Sequence, residues 1–328
     1  MDNIRSDREI RIRGYTSTKR FLGEGTFGLV VEGIHTKTGK LVAIKKTHVT
    51  DEDEGVPPTS LREIATLKRL NHKNLVGLLD VHYQPLELYL VFDRHPQDLK
   101  AYLLKVDSKA GLSPEKRKRF MIDILSGMNY LHTQLLLHRD LKPGNILVTE
   151  EGVLKIADFG LVRNFVSLNG PLTHEVVTLW YRPPEILIKE EDEYDFTTDI
   201  WSIGCIFAEL FVLVPFFEGR SDIAQLLAIF EKLGTPNDEI WPGFSDLHSH
   251  NGKFPLFRPK EITELIPSIE PSAADLMKKL LVYPKDKRIS CLEALKHPYL
   301  SSKRPAPPSE PIEPIVRRSK RLKAKATL

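Results

Sequence analysis

The chain has 328 residues, 41% hydrophobic and 28% charged, enough for one large core or two lobes of an ordinary globular protein. Its net charge of +3 hides an asymmetry: residues 301–328 hold eight Lys/Arg against two Glu, which is +6 and leaves −3 on residues 1–300. Two cysteines, Cys205 and Cys291, exclude a disulfide framework and predict a reducing compartment. Charges from Asp2 to Arg13 exclude a signal-peptide core, and the most apolar run, 206–217, holds Glu209 and is too short to span a bilayer, so no membrane partner is expected.

Residues 1–14 read as an N-terminal extension. Residues 15–93 read mostly as short strands: Phe21-Leu22 leads into a glycine turn, Leu29-Val30-Val31 and Leu41-Val42-Ala43-Ile44 follow, and Lys37-Thr38-Gly39-Lys40 between them signals a hairpin. One helix interrupts this region. It follows Pro57-Pro58, with Thr59 or Ser60 as a cap and Leu61, Ile64, Ala65 and Leu67 at helical spacing. From about 97 to 300 the helical period dominates, as in 120–132, 199–211 and 223–233. From 301 the chain turns proline-rich and then basic, a composition that cannot bury enough apolar surface to order itself.

Chemistry concentrates in a few motifs. Gly23-Glu24-Gly25-Thr26-Phe27-Gly28 is G-x-G-x-x-G, letters that dinucleotide folds share. There, however, the glycines open a helix and an acidic residue follows ~20 positions on. Here strand residues continue, and Lys45 stands twenty residues after Gly25. Backbone amides closing over phosphates, with Lys45 on their oxygens, fit that order; a plain hairpin with a surface lysine is the alternative. Glu63, on the helix after Pro58, would hold Lys45 in place and make the helix position a switch, unless it is simply a solvated helical glutamate.

The stretch from His138 to Asn145 reads H-R-D-L-K-P-G-N, and Asp158-Phe159-Gly160 begins thirteen residues after Asn145. Phosphoryl transfer from ATP needs a carboxylate near the attacking hydroxyl and oxygen ligands for magnesium. Asp140 suits the first role, while Asn145 and Asp158 suit the second. Lys142 would neutralise charge on the transferring group. A polar surface turn is the bland reading of each motif taken alone.

With these motifs in order, residues 15–300 resemble a eukaryotic protein kinase, and more narrowly a cyclin-dependent kinase. The segment 55–63 ends P-P-T-S-L-R-E and resembles that family's cyclin-binding helix; 173–182 is similar to its activation-loop end; and 233–243, with Leu233-Gly234-Thr235-Pro236 and Trp241-Pro242-Gly243, resembles its insert. The resemblance implies an α+β, two-lobed fold, with a β-rich small lobe at about 15–93, a helical large lobe at about 97–300, and ATP between them. It implies that Phe92 guards the adenine pocket, that the hinge from Asp93 to His95 binds adenine through its backbone, and that Val30, Ala43 and Leu147 sandwich the ring, with Asp98 also in the nucleotide site. Glu185 would pair with Arg288, and Asp199 would steady the catalytic loop. Arg62, Arg139 and Arg163 would converge on a phosphate placed on Thr173 by an activating kinase. Lys142 and Thr178 favour Ser/Thr substrates, and a following proline is expected.

Three departures stand out. Phe27 replaces the tyrosine common in cell-cycle members, leaving Thr26 as the modifiable residue of the glycine loop. The 219–224 segment is less acidic than usual, which puts docking of a small accessory subunit in doubt. The hinge reads Arg94-His95-Pro96. The expected function is therefore Ser/Thr-Pro phosphorylation with ATP and Mg2+, dependent on a cyclin-like subunit, in cell-cycle or transcription control in nucleus and cytoplasm. A catalytically silent cyclin-binding scaffold is the alternative, opposed by the presence of Lys45, Asp140, Asn145 and Asp158 together. The basic run 317–325 reads as a nuclear-localisation or polyanion patch, or as a solvated tail; no direct nucleic-acid partner is expected.

Overall fold

The computed structural model describes residues 10–25, 28–48, 64–65, 67–84, 87–158, 163–164, 179–188, 194–247 and 254–301. They form a small β-rich lobe and a larger helical one. In the small lobe, β1 (Arg11–Ile12), β2 (Tyr15–Gly25), β3 (Gly28–His35), β4 (Leu41–His48), β5 (Leu78–Gln84) and β6 (Glu87–Asp93) make one sheet in the order β1-β2-β3-β4-β6-β5. Every described pairing is antiparallel. The β3–β4 turn includes Gly39 at φ +70°, a conformation that glycine reaches without steric penalty.

Side chains alternate across a strand and paired residues share a face. On one face Val42, Ile44, Tyr89 and Val91 are buried together with Ile10, Ile12 and Tyr15. The sheet thus begins inside the segment read as an N-terminal extension, because burying Ile10 and Ile12 recruits that stretch. The register Val30↔Lys45, Glu32↔Ala43, Lys45↔Leu90 and Ala43↔Phe92 puts these residues on the opposite face. Residues 64–65 and 67–69 are helical, and Ile64 is buried with Leu88. The first turns expected for that helix, with Thr59, Ser60 and Leu61, lie outside the described residues.

The large lobe is built around α4 (Phe196–Val212), which is mostly apolar and buried along most of its length. Preceding it are α1 (Leu99–Leu103), α2 (Pro114–Thr133) and α3 (Pro184–Ile188); following it are α5 (Asp222–Leu233), α6 (Phe244–Leu247), α7 (Ile262–Leu265), α8 (Pro271–Leu280), α9 (Cys291–Leu295) and α10 (Pro298–Ser301). α2 starts six residues before the apolar period does. Ser113 caps it, its hydroxyl accepting from the Lys116 amide, and Pro114 takes the first position. The polar residues 115–119 carry no period to read. Among the described residues no helix is long and apolar enough to cross a membrane.

Five short strands complete the large lobe. β7 (Gln97–Asp98), β9 (Ile146–Val148) and β10 (Leu154–Ile156) form a sheet in the order β10-β9-β7, and β8 (Leu136–Leu137) pairs with β11 (Arg163–Asn164).

The expected Glu185–Arg288 pair is present. The Arg288 side chain is fully buried, and both its terminal nitrogens donate to Glu185, one at 2.7 Å. Its nitrogens also donate to the carbonyls of Thr197, Val282 and Tyr283, and its guanidinium lies 4.9 Å from the Trp201 ring centroid. Removing one partner of such a pair leaves a buried charge uncompensated. Glu185→Ala should therefore destabilise the large lobe by about 3–5 kcal/mol, measured by urea denaturation. Lys278→Ala, which breaks an exposed pair with Glu261, should change the midpoint far less; equal effects would contradict this assignment.

Candidate active site

The spacing of thirteen residues between Asn145 and Asp158 is the length of a hairpin. β9 starts directly after Asn145 and β10 ends two residues before Asp158, with Ile146 opposite Ile156. Asn145 and Asp158 therefore leave the same end of the hairpin, which the Ala157 amide closes by donating to the Asn145 carbonyl at 2.8 Å. Apolar Ile146, Val148, Leu154 and Ile156 anchor it in the core.

On the other side, β8 ends at Leu137 and the chain enters His138-Arg139-Asp140. Arg139 has φ +73°, strained for an arginine. Asp199, 1% exposed in the first turn of α4, holds it there. One Asp199 oxygen accepts from the Arg139 amide at 2.8 Å; the other accepts from the His138 amide at 3.0 Å and from His132 Nε2 at 2.9 Å. His138 Nε2 in turn donates to the Ala157 carbonyl at 3.0 Å, joining this loop to the hairpin end. Burial alone would raise the Asp199 carboxyl; His132, His138 and the backbone amide outweigh it and set it below its ordinary value.

Within this frame Asp140, Lys142 and Asn145 converge. Lys142 Nζ donates to Asp140 Oδ2 at 2.8 Å. Asn145 Nδ2 donates to the same oxygen at 3.0 Å and to the Asp140 carbonyl at 2.8 Å, which turns the amide oxygen away from Asp140. Asp158, also at positive φ (+59°), accepts from Lys45 Nζ at 2.6 Å and so ties the large lobe to the small one. Burial opposes ionisation of Asp158, but Lys45, then His138 and Lys142, lower its carboxyl below the usual range. An ionised Asp158 and the Asn145 amide oxygen are oxygen donors of the kind magnesium takes together with phosphates.

Above this centre, Val30, Ala43 and Phe92 share a sheet face with Lys45, and Phe92 stands opposite Ala43 in the ladder. Below it, Leu147 pairs with Asp98 across β7 and β9. Val30, Ala43, Phe92 and Leu147 are each only partly buried, as the lining of a slot should be. Asp98 is employed as the cap of α1, accepting from the Ala101 amide at 2.6 Å. In the hinge, Lys40 reaches Asp93 at 2.7 Å. Burial, then the charge of Lys155, lowers His95 below its ordinary value. Gly23, Glu24 and Gly25 end β2, and Gly28 starts β3.

Several expected residues lie outside the described ones: Thr26, Phe27, Arg62, Glu63, Phe159, Gly160, Thr173 and Thr178. Of the three arginines assigned to the Thr173 phosphate, Arg139 is buried, with its guanidinium 4.4 Å from the Tyr194 ring centroid. The Arg163 backbone pairs with Leu137, two residues before Arg139, so these two positions come together. Sequence reasoning missed His132. It is six residues from His138 on a helix, and only the packing of α2 against α4 gives it a role.

A small-lobe sheet face carrying Val30, Ala43, Lys45 and Phe92, tied through Lys45 to Asp158 at the hairpin end that also carries Asn145 beside Asp140, gathers the groups that phosphoryl transfer uses. The protein kinase domain family model matches residues 16–300, and the chain belongs to that family. Protein kinase domains generally use ATP and Mg2+, and the oxygen and ammonium groups gathered here fit both.

Asp199 generates a prediction with a definite sign. A carboxyl lowered by folding stabilises the native state fully above its unfolded value, and that contribution is lost as pH falls through the folded value. Asp199→Asn should be less stable than the unaltered chain at neutral pH by about 3 kcal/mol. The gap should narrow below about pH 4. Thermal melts of both proteins across that range check it, and a gap independent of pH would contradict it.

Proposed function

We propose that this protein is a Ser/Thr kinase of the cyclin-dependent type, which transfers the terminal phosphoryl group of ATP to Ser or Thr followed by Pro. It acts with a cyclin-like subunit and after an activating kinase has phosphorylated Thr173. The observation that carries the catalytic part is the convergence of Lys142 and Asn145 on one oxygen of Asp140. Their bonds fix the carboxylate, so its second oxygen is presented to the incoming hydroxyl, which it orients and from which it takes the proton. Lys142, held at 2.8 Å, stays close enough to offset charge that develops on the transferring group. Lys45 and Asp158 occupy opposite lobes, so their contact sets the slot's depth. Asp158 and Asn145 would hold magnesium, which when bound neutralises phosphate charge and fixes the terminal group for in-line attack.

Support for the narrower assignment comes from the sequence: the P-P-T-S-L-R-E segment, the 173–182 stretch and the 233–243 insert. A partner-binding helix with apolar Leu61 explains dependence on a second subunit. Three arginines around one phosphate explain activation by modification, since like charges that repel one another become charge-assisted donors. The same resemblance supports a role in cell-cycle or transcription control, in nucleus and cytoplasm.

A peptide library phosphorylated with γ-labelled ATP by the chain and its co-purified partner tests the specificity. The backbone near Val177 is expected to offer no acceptor to the amide after the target residue. Proline has no such amide, whereas other residues bury an unpaired donor at about 1–3 kcal/mol. Proline should therefore be preferred by roughly 5- to 150-fold. Label spread evenly over that position, or on tyrosine, would contradict the assignment. In the same assay Asp140→Asn and Asp158→Asn should each lower kcat by about 10²-fold or more; turnover at the unaltered rate would overturn the catalytic roles.

A further inference from the structure

Glu32 lies on the same face of β3 as Val30, two residues nearer the hinge, and is 7% exposed. A buried carboxylate on a strand that frames a nucleotide slot needs partners, and it has them on three sides. Arg94, in the hinge, donates from Nε to Glu32 Oε2 at 3.1 Å, and its own side chain is only 12% exposed. Thr18 Oγ1 on β2 donates to Glu32 Oε1 at 3.3 Å and lies 3.2 Å from the Glu32 carbonyl. Arg20, largely exposed, stands 3.6 Å from Oε2. Thr18 and Arg20 fall where the β2–β3 register slips between Ser17 and Phe21, so Glu32 holds β2 where its backbone ladder is broken.

These contacts close a ring. Glu32 is opposite Ala43 in β4, Ala43 is opposite Phe92 in β6, and Arg94 follows Phe92 by two residues and returns to Glu32. The chain leaving β6 is thereby folded back onto a strand two positions away in the sheet. Both β2 and β3 lead into the glycine turn, so whatever fixes their bases against the hinge fixes the height of the slot's roof. The neighbouring Lys40–Asp93 pair is more exposed and therefore more strongly screened.

We propose that Glu32 and Arg94 form a latch that sets the spacing between the hinge and strands β2 and β3, and that the slot's affinity for adenine nucleotide depends on it. Both are positioning residues; neither touches the reacting atoms. Removing the Glu32 charge leaves the largely buried Arg94 without its counter-ion, and removing Arg94 leaves Glu32 only Thr18 and the largely exposed Arg20, so in either case the hinge relaxes and the roof with it. The latch acts on nucleotide binding as proposed above, and saturable binding by the unaltered chain tests that reading separately.

The experiment is a fluorescence titration of the full chain with mant-ATP and magnesium, comparing the unaltered protein with Arg94→Ala, Glu32→Gln and the double variant. Glu32→Gln keeps the shape and removes only the charge, so it preserves the fold where a larger change would not. Titrations run well below each variant's melting temperature, checked by circular dichroism, keep unfolding out of the comparison. Each single variant should raise Kd by about 3- to 10-fold, and the double variant should bind no more weakly than the weaker single one. Singles that bind like the unaltered chain overturn the latch. So does a double variant whose loss equals the product of the two single losses, since independent residues behave that way.

Discussion

The Asp199 carboxylate sits almost out of reach of solvent and accepts the amides of His138 and Arg139 with its two oxygens, while His132 donates to one of them from α2. A buried charge is tolerated only when it is so fully hydrogen-bonded. The same bonds hold Arg139 at a positive φ that an arginine does not choose, at a cost of about 1–3 kcal/mol. That backbone twist presents Asp140 on the far side of the loop, where Lys142 and Asn145 reach it. The site's geometry thus depends on a residue that touches no reactant, on a helix whose apolar surface keeps it rigid.

Two further ties extend this frame across the molecule. His138 donates to the Ala157 carbonyl, which ties the loop to the end of the β9–β10 hairpin. Lys45 and Asp158 then join that hairpin end to the small lobe. Asp158, like Arg139, has positive φ. Two strained residues flank one site, each held by an ion or hydrogen bond to another element. Such strain persists only where the surroundings over-determine it, and pre-organisation of charge is what phosphoryl transfer asks of a protein. The Glu185–Arg288 pair braces the same lobe from beneath, packed against Trp201 of α4.

Much of this was legible in the residues. The order and spacing of the two motifs mark the site and the apolar period of 199–211 marks the central helix, whereas the hairpin between Asn145 and Asp158 falls in a stretch whose reading is helical and shows only in the strand pairing. Asp199 and the Glu185–Arg288 pair were reachable through family resemblance, though not through periodicity. Other features have no local signal. Glu32 and Arg94 are sixty-two residues apart, and nothing in a strand reading V-V-E-G tells that its glutamate is buried; only the curl of the hinge shows it. The opening turns of α2 carry no apolar period because their residues are charged, although Ser113-Pro114 is a start signal. Ile10 and Ile12 read as part of an extension because two apolar residues among arginines are too few to signal a strand without the sheet that buries them.

Hydrogen–deuterium exchange of the His138 and Arg139 amides tests the central constraint most directly. If Asp199 holds the loop, these two amides should exchange at rates close to those of the α4 core, even though they sit in a loop at the site's edge. In Asp199→Asn they should be the first protected amides to open, while the Ile203 and Phe207 amides of α4 remain slow. Fast exchange of His138 and Arg139 in the unaltered chain, at the rate of exposed turns, would contradict the account.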